Sequence, residues 1–194
     1  MFAMMLKRVL PFAHSLLEAA VKEGDIAIDA TVGNGHDTVV LANLVGSNGK
    51  AYGFDIQHEA LENAHLRLQE SKLSKRVQLF LKSHDQIESA IPTEFHKKIK
   101  AAIFNLGYLP GGDKTIVTTP DSSISAVKQL LKIMPAGGII VLVVYHGHPE
   151  GQIERDQLIQ YVRTIDQKQA QVLQYQFLNQ INHAPFVIAI EKIK

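Results

Sequence analysis

The stretch that decides the fold is DIAIDATVGNGHD, which spans residues 25–37. Residues 25–30 are mostly apolar and predict a short buried strand. Gly33 and Gly35 follow, and glycine permits a tight turn in which the backbone can closely approach a ligand. A helix predicted over 36–45 begins at once, so its positive N-terminal end faces the same turn. A strand, a glycine-rich turn and a helix in this order are typical of a doubly wound α/β sheet.

The rest of the chain continues the alternation of strands and helices. A helix precedes the quoted stretch, with apolar residues at helical spacing from Val9 to Ala20. Further helices are predicted around 61–68, over 120–134 and over 150–165, and further strands over 51–55, 77–81, 101–106, 138–146, 171–177 and 186–190. Because only a loop separates the last two strands, one of them is expected to run antiparallel near the sheet edge. We therefore expect a single α/β domain over residues 1–194 with a mostly parallel sheet.

The composition excludes several classes of protein. Hydrophobic residues make up 46% and charged residues 20% of the 194 residues, as in ordinary globular proteins. The lack of cysteine excludes thiolate catalysis, zinc ribbons and iron–sulfur clusters. Twenty basic and 19 acidic residues give a net charge of +1, which neither indicates nor excludes nucleic-acid binding. No apolar run is long enough for a membrane span and no signal-peptide pattern occurs, so a cytoplasmic protein is expected.

Each predicted parallel strand ends in a polar or glycine-rich cluster. The carboxyl ends of parallel strands share one edge of the sheet, where ligands bind. The five clusters lie at residues 29–37, 55–57, 83–85, 105–112 and 145–149. A lone glycine turn is also common as an ordinary tight turn, but five converging clusters predict a ligand site.

The first two clusters indicate the kind of cofactor. Asp55 follows the glycine turn by about twenty residues, at the strand end where an acid can hydrogen-bond ribose hydroxyls. Dinucleotide-binding turns carry a third glycine for packing under a pyrophosphate, and this position is Thr38. Asp37 would repel a pyrophosphate, whereas Asp29 suits a ligand that carries an ammonium and a sulfonium. These residues favour S-adenosyl-L-methionine and leave NAD as the less favoured alternative.

The last two clusters offer groups for a methyl-accepting substrate. Asn105 can orient an amine through its side-chain amide, and Tyr108 can stack on a planar base. Tyr145 and His146 are candidate acceptors for a substrate proton. His146 and His148 have the chemistry of metal ligands, but no carboxylate or third histidine accompanies them, so no metal site is expected.

Six motifs make the chain resemble a known family: AIDATVGNGHDT, GFDIQ, SHDQ, FNLGYLPGGDK, VVYHGHPEGQIERD and YQFLNQINHAPFVIAIEK. Together they resemble the class I methyltransferases labelled rRNA methylases, over essentially the whole chain. FNLGYLPGGDK and YHGHPEG are highly specific, whereas many methyltransferases share the glycine turn. The resemblance implies a Rossmann-like fold with a seven-stranded, mostly parallel sheet, one antiparallel strand near the edge, and helices on both faces.

The resemblance also implies roles for individual residues around S-adenosylmethionine. The first loop is expected to hold the methionine part of the cofactor, the second the ribose and the third the adenine region. The expected cofactor-binding residues are Asp29, Thr31, Gly33, Asn34, Gly35, Asp37, Asp55, Gln57, Ser83 and His84. Asn105 and Tyr108 occupy the place of an Asn-Pro-Pro-Tyr motif in other amino methyltransferases, with Leu106 and Gly107 instead of the two prolines.

The substrate expected from the resemblance is the anticodon stem-loop of a tRNA. The family's tRNA-acting members methylate the aminomethyl group on 2-thiouridine at the wobble position, which implies direct SN2 transfer to a deprotonated amine. The lack of cysteine agrees with this, since it excludes covalent attack on a pyrimidine ring. Methylation of rRNA or a small molecule, and a catalytically silent cofactor-binding module, are the alternatives. The sequence leaves a homodimer open, and the candidate RNA contacts are Lys7, Arg8, Lys114 and Lys132.

Overall fold

The computed structural model describes residues 5–107, 111 and 117–194. Seven strands form one sheet in the order β3-β2-β1-β4-β5-β7-β6. The strands are β1 (Ile26–Asp29), β2 (Lys50–Asp55), β3 (Val77–Leu81), β4 (Ile99–Leu106), β5 (Ile139–Val144), β6 (Ala170–Tyr175) and β7 (Phe186–Lys192). The chain reverses its direction of winding between β1 and β4, which makes the carboxyl edge beside these strands the expected place for a ligand.

The sheet is parallel from β3 to β5 and changes direction only at β7. β1 pairs in parallel with β2 and β4, and β4 pairs in parallel with β5. β7 runs antiparallel to both β5 and β6. This confirms the prediction of a mostly parallel sheet with one antiparallel strand near its edge.

In the described part of the chain, seven α-helices connect and cover the strands. They are α1 (Val9–Ala20), α2 (His36–Leu44), α3 (His58–Glu70), α4 (Ile87–Ala90), α5 (Thr93–His96), α6 (Pro120–Ile133) and α7 (Pro149–Val162). α6 begins as the sequence predicts: the Thr119 side chain accepts a hydrogen bond from Ser122 N, and Pro120 is the first helical residue. No helix in the described part of the chain is long and apolar enough to cross a membrane.

The core lies on both faces of the sheet because successive side chains of a strand point to opposite faces. In β1, Ile26 and Ile28 join the cluster under α6 and α7, whereas Ala27 joins the cluster under α1 and α2. All four residues of β1 are buried, which explains its nearly continuous apolar sequence. At the far edge, four residues of β6 are exposed, as expected of an edge strand.

The observed elements differ from the predicted ones mainly at their ends. β4 begins at Ile99 and β7 continues to Lys192, whereas β5 ends at Val144, before the predicted Tyr145 and His146. α7 ends at Val162, three residues earlier than predicted. The short helices α4 and α5 were not predicted, because four residues carry no readable helical period.

Candidate active site

A cavity of about 870 Å³ opens at the carboxyl edge of the sheet. The loops after β1, β2, β3, β4 and β5 all contribute to its lining, together with the segment before α6. The predicted site residues that line it are Thr31, Gly33, Asn34, Asp37, Asp55, Gln57, Ser83, His84, Asn105, Tyr145 and His146. The five clusters therefore converge in space, as the strand order requires.

The glycine turn is tied to the end of β2 through Asp55. Gly33 N donates to Asp55 Oδ2 at 2.9 Å, and Gln57 N donates to Asp55 Oδ1 at 3.0 Å. Gly33 and Gly35 both have positive φ, of 49° and 78°, so the turn needs the conformational freedom of glycine. The two hydrogen bonds fix the carboxyl group at the cavity wall and leave further lone pairs for a ligand.

Helix α3 holds the same turn from outside. Arg67 Nε donates to the carbonyl oxygen of Asn34 at 2.7 Å, and Asn63 Nδ2 donates to Asn34 Oδ1 at 3.1 Å. Gly35 packs so closely on α3 that a Cβ atom there would lie 2.8 Å from Ala64 Cα. The turn is thus fixed from two sides before any ligand binds.

Asp29 lies behind the turn, does not line the cavity and is 0% exposed. Thr31 N donates to Asp29 Oδ1 at 3.2 Å, and Thr38 Oγ1 donates to Asp29 Oδ2 at 2.6 Å. Burial, with the nearby negative charge of Asp37 as the second cause, raises the pKa of Asp29 to about 7. Asp29 therefore holds the turn from behind through these hydrogen bonds. Its contact with the ammonium or sulfonium of a cofactor stays a prediction.

Asp37 links three elements at the cavity wall. Its Oδ1 accepts from His14 Nε2 of α1 at 2.6 Å, and its Oδ2 accepts from Asn105 Nδ2 at the end of β4. The backbone N of Asn105 donates to Thr31 Oγ1 at 2.6 Å. The end of β4 is thereby attached to the loop after β1 by both its backbone and its side chain.

His84 connects the loop after β3 to the first loop and to α6. Its Nδ1 donates to the carbonyl oxygen of Ala30 at 3.1 Å, so Nε2 is the acceptor nitrogen and lies 3.1 Å from Ser122 Oγ. Burial lowers the pKa of His84, which keeps the imidazole neutral. Ser83 precedes it and accepts from Asp85 N through its hydroxyl.

The side of the cavity beyond β5 is aromatic. Burial raises the pKa of Tyr145, whose side chain remains partly open to solvent. His146 is only 6% exposed, and its ring meets those of His183 and Phe186 edge to face, at 5.7 and 5.5 Å between centroids. Burial lowers the pKa of His146. His148 instead caps α7, because its Nδ1 accepts from Gly151 N at 3.0 Å.

A buried glutamate supports this side of the cavity. Glu154 of α7 accepts hydrogen bonds from Thr118 Oγ1 at 2.6 Å and from Ser123 Oγ at 2.7 Å. Thr118 Oγ1 in turn accepts from Gly107 N at 3.0 Å. Burial raises the pKa of Glu154. The network joins the end of β4, the start of α6 and the middle of α7.

Some predicted residues fall elsewhere, and some lining residues were not predicted. Tyr108 and Lys114 lie outside the described residues, and Gly35 lies beneath the cavity rather than in its lining. Within the described ranges, no group of three His, Asp or Glu side chains is arranged to hold a metal ion. Lining residues that sequence reasoning missed include Leu10, Lys82, Thr118, Thr119, Ser122 and His183. Among them, Lys82 directly precedes Ser83, which belongs to the cluster predicted at the end of β3.

A seven-stranded sheet with this order and a cavity at the carboxyl ends of its parallel strands defines a class I methyltransferase. A family model described as "Putative rRNA methylase" matches residues 51–191, and the chain belongs to this family. A second model, for protein-L-isoaspartate(D-aspartate) O-methyltransferase, matches residues 6–88.

Two solved structures support this assignment. A putative rRNA-methylase from Clostridium thermocellum is 39% identical with a TM-score of 0.94, covering 98% of this chain and 100% of that one. A putative methyltransferase from Streptococcus mutans, solved in complex with SAH, is also 39% identical with a TM-score of 0.88, covering 97% and 100%. SAH is the product that S-adenosylmethionine leaves after methyl transfer. The family and the fold together identify this chain as an S-adenosylmethionine-dependent methyltransferase.

A curated relative extends the comparison to a named activity. The chloroplastic tRNA (mnm(5)s(2)U34)-methyltransferase of Arabidopsis thaliana is 39% identical over 156 residues. The match covers 76% of this chain, but it spans only 56% of the plant protein's length.

Proposed function

We propose that this methyltransferase transfers a methyl group to the primary amine of 5-aminomethyl-2-thiouridine at the wobble position of tRNA. The observation that carries the proposal is the 39% identity to the plant tRNA (mnm(5)s(2)U34)-methyltransferase over 76% of this chain. The side chain of Asn105 in the cavity wall supports it, since an amide oxygen can accept a hydrogen bond from a substrate N–H.

The residues at the carboxyl edge fit S-adenosylmethionine. The loop that carries Gly33 and Asn34 lies at the N-terminus of α2, and Asp55 and Gln57 end β2 at the same cavity. We assign the methionine part to the first loop, the ribose to Asp55 and Gln57, and the adenine region to Ser83 and His84. Neutral His84 suits an uncharged adenine ring. When bound, S-adenosylmethionine supplies a methyl group on a sulfonium, and its carbon–sulfur bond breaks as the amine nitrogen forms the new carbon–nitrogen bond.

The acceptor amine must be neutral before it attacks. An alkyl amine has a pKa of about 10 and is mostly protonated at neutral pH. Tyr145 cannot take the proton there, because its raised pKa keeps the phenol protonated. His146 is neutral, since its pKa is lowered, but it is a much weaker base than the amine. We therefore assign the main contribution to orientation and desolvation of the neutral amine, so methyl transfer is expected to accelerate as the pH rises.

The basic residues near the cavity suggest where RNA binds. Lys7 and Arg8 directly precede α1, in which Leu10 lines the cavity, and the carbonyl oxygen of Lys7 accepts a hydrogen bond from the Tyr175 hydroxyl at the end of β6. Lys132 of α6 is 2.5 Å from Glu88 Oε1, which makes it less suited to a phosphate. We propose that Lys7 and Arg8 contact the phosphates of the anticodon stem-loop. Binding of tRNA is then expected to weaken steeply with increasing salt.

The test is methyl transfer by the purified protein to hypomodified tRNA. The tRNA comes from a strain that lacks this enzyme and therefore carries the free amine. Labelled S-adenosylmethionine is added, and the tRNA is digested for nucleoside mass spectrometry. We expect 5-aminomethyl-2-thiouridine to be replaced by its singly methylated form.

One parallel reaction and one binding measurement separate the alternatives. The family name favours ribosomal RNA as the second candidate, so one reaction contains rRNA instead of tRNA. Label in rRNA alone contradicts the proposed substrate. Tight binding of SAH without transfer to either RNA would also contradict the proposed substrate and would favour a small-molecule acceptor or a silent cofactor-binding module.

A further inference from the structure

A chain of hydrogen bonds runs from the outer helix α1 to the cavity wall. His14 Nε2 lies 2.6 Å from Asp37 Oδ1, and Asp37 Oδ2 accepts from the side-chain nitrogen of Asn105. Asn105 lines the cavity, whereas His14 does not. His14 therefore reaches the site only through Asp37.

The carboxylate of Asp37 determines which way the Asn105 amide faces. A carboxylate only accepts hydrogen bonds, so Asn105 must present its NH2 group to it. The amide oxygen then points away from Asp37, and within the described residues it has no hydrogen-bond partner. An oxygen held in this way at the cavity wall is an acceptor for an N–H group of a ligand.

The charge on His14 stabilises this arrangement. Asp37 is buried and lies close to the buried Asp29, so its charge requires a partner. The hydrogen bond to Asp37 is the largest cause that raises the pKa of His14, and the charge of Glu18 on the same helix also raises it. The positive charge of protonated His14 thus faces one oxygen of the Asp37 carboxyl group, while the second oxygen is directed at Asn105.

We propose that His14 is a positioning residue for methyl transfer: through Asp37 it fixes the Asn105 amide so that Oδ1 accepts a hydrogen bond from the acceptor amine. This inference rests on the proposed function, because it takes the acceptor to be an amine. It assigns a catalytic effect to a residue outside the cavity. Cofactor binding is expected to change little, since His14 does not line the cavity and Asp37 keeps its place in the first turn of α2.

The variants His14→Ala and His14→Gln test the proposal, with His58→Ala as the matched control. His58 also pairs with a carboxylate, Glu62 at 3.3 Å, but on the exposed surface of α3. In His14→Ala we expect kcat with hypomodified tRNA to fall about tenfold or more, with KM and the Kd for SAH within about twofold of wild type. His14→Gln is expected to recover only part of kcat, because its amide N–H can donate to Asp37 but carries no positive charge. His58→Ala is expected to match wild type.

The pH dependence separates positioning from a merely structural role. The ratio of wild-type kcat to His14→Ala kcat is measured across pH, so that titration of the substrate amine cancels. We expect the ratio to fall as the pH rises past the raised pKa of His14, where the imidazolium facing Asp37 and Glu18 loses its charge. A ratio that stays constant with pH, or equal losses of kcat and SAH affinity, would overturn the proposal.

A measurement without substrate keeps the two proposals distinguishable. The side-chain amide resonance of Asn105 is identified by its absence in Asn105→Ser and is then followed by NMR in SAH-bound protein. We expect it to shift or broaden in His14→Ala and to remain in place in His58→Ala. An unchanged resonance contradicts the role of His14, whereas absence of transfer by the wild type contradicts only the proposed function.

Discussion

Asp55 shows at the scale of one residue how the fold prepares the site. One carboxyl group accepts backbone N–H groups from two loops, Gly33 after β1 and Gln57 after β2. Ionised carboxyl groups that accept such bonds have few orientations left. The spacing between the glycine turn and Asp55 predicted this proximity, because both lie at the carboxyl ends of adjacent parallel strands.

The proposed contact of Asp55 with the cofactor gives a direct prediction. Asp55→Ala removes the acceptor for the ribose and frees the N–H of Gly33, so the Kd for SAH is expected to rise about tenfold or more. Asp166→Ala is the matched control, since Asp166 also accepts a backbone N–H, from Lys168 at 2.9 Å, but in an exposed turn. Calorimetric titration of SAH into both variants measures the effect. Equal affinity in Asp55→Ala and wild type would contradict the assignment.

The sequence did not predict which side chains of different elements contact each other. The interaction of His14 with Asp37 joins residues 23 positions apart on different helices. Nothing in the period of α1 distinguishes His14 from any other polar residue on its exposed side. Asp29 was predicted to contact the cofactor, and the sequence did not indicate that it is buried behind the turn, where it accepts a hydrogen bond from Thr38. Side-chain partners across elements need the three-dimensional arrangement.

At the scale of elements, the helices hold in place the loops that follow the strands. α2 begins directly after Gly35, and α3 packs against it so that the turn lies between the two helices. Strong periodicity and glycine signals located α2, α3 and α6 in the sequence within a few residues. α4 packs against α6, and a local sequence pattern does not contain such a contact between distant helices.

The contact between α2 and α3 predicts a specific cost for a Cβ atom at Gly35. Gly35→Ala has to accept a φ of 78° and a clash with the backbone of Ala64 at 2.8 Å. Gly24→Ala has a similar φ of 92° but meets nothing within 4 Å. The left-handed conformation costs roughly 1–2 kcal/mol in both, so we expect Gly35→Ala to be at least about 1 kcal/mol less stable than Gly24→Ala.

Urea unfolding of the two glycine variants measures this difference. The SAH affinity of Gly35→Ala is expected to fall as well, because any shift of α2 displaces the loop that contains Gly33 and Asn34. Gly24 lies before β1, away from the cavity, so its variant is expected to bind SAH normally. Equal unfolding free energies would show that α3 can move away from α2 without cost.

At the scale of the whole molecule, the direction of β7 completes the cavity. β7 runs antiparallel to both β5 and β6, so β6 ends at the same edge as β5. The register pairs Val144 with Phe186 and Tyr175 with Val187 there. The loop between β6 and β7 therefore returns His183 to the cavity, although His183 lies 37 residues beyond His146. The sequence predicted the hairpin, but the contribution of its loop follows only from the strand order.

We expect the titration of Asp29 to make the free energy of unfolding depend on pH. Its pKa is about 7 in the folded protein and ordinarily 3.8. Between these values the folded state retains a proton that the unfolded state releases, so the free energy of unfolding falls as the pH rises and levels off above about 7. The fall attributable to Asp29 is on the order of 4 kcal/mol, since one pKa unit corresponds to about 1.4 kcal/mol. Asp29→Asn cannot titrate, and it also loses the acceptor for Thr31 N or Thr38 Oγ1. We therefore expect its free energy of unfolding to be lower than that of wild type at about pH 5, but to fall less between about pH 5 and about pH 7.5.

Urea unfolding at both pH values tests this prediction. The control is Asp166→Asn, which changes an exposed aspartate and is expected to show the wild-type dependence of unfolding free energy on pH. An equal dependence in Asp29→Asn and wild type would show that Asp29 is ionised throughout.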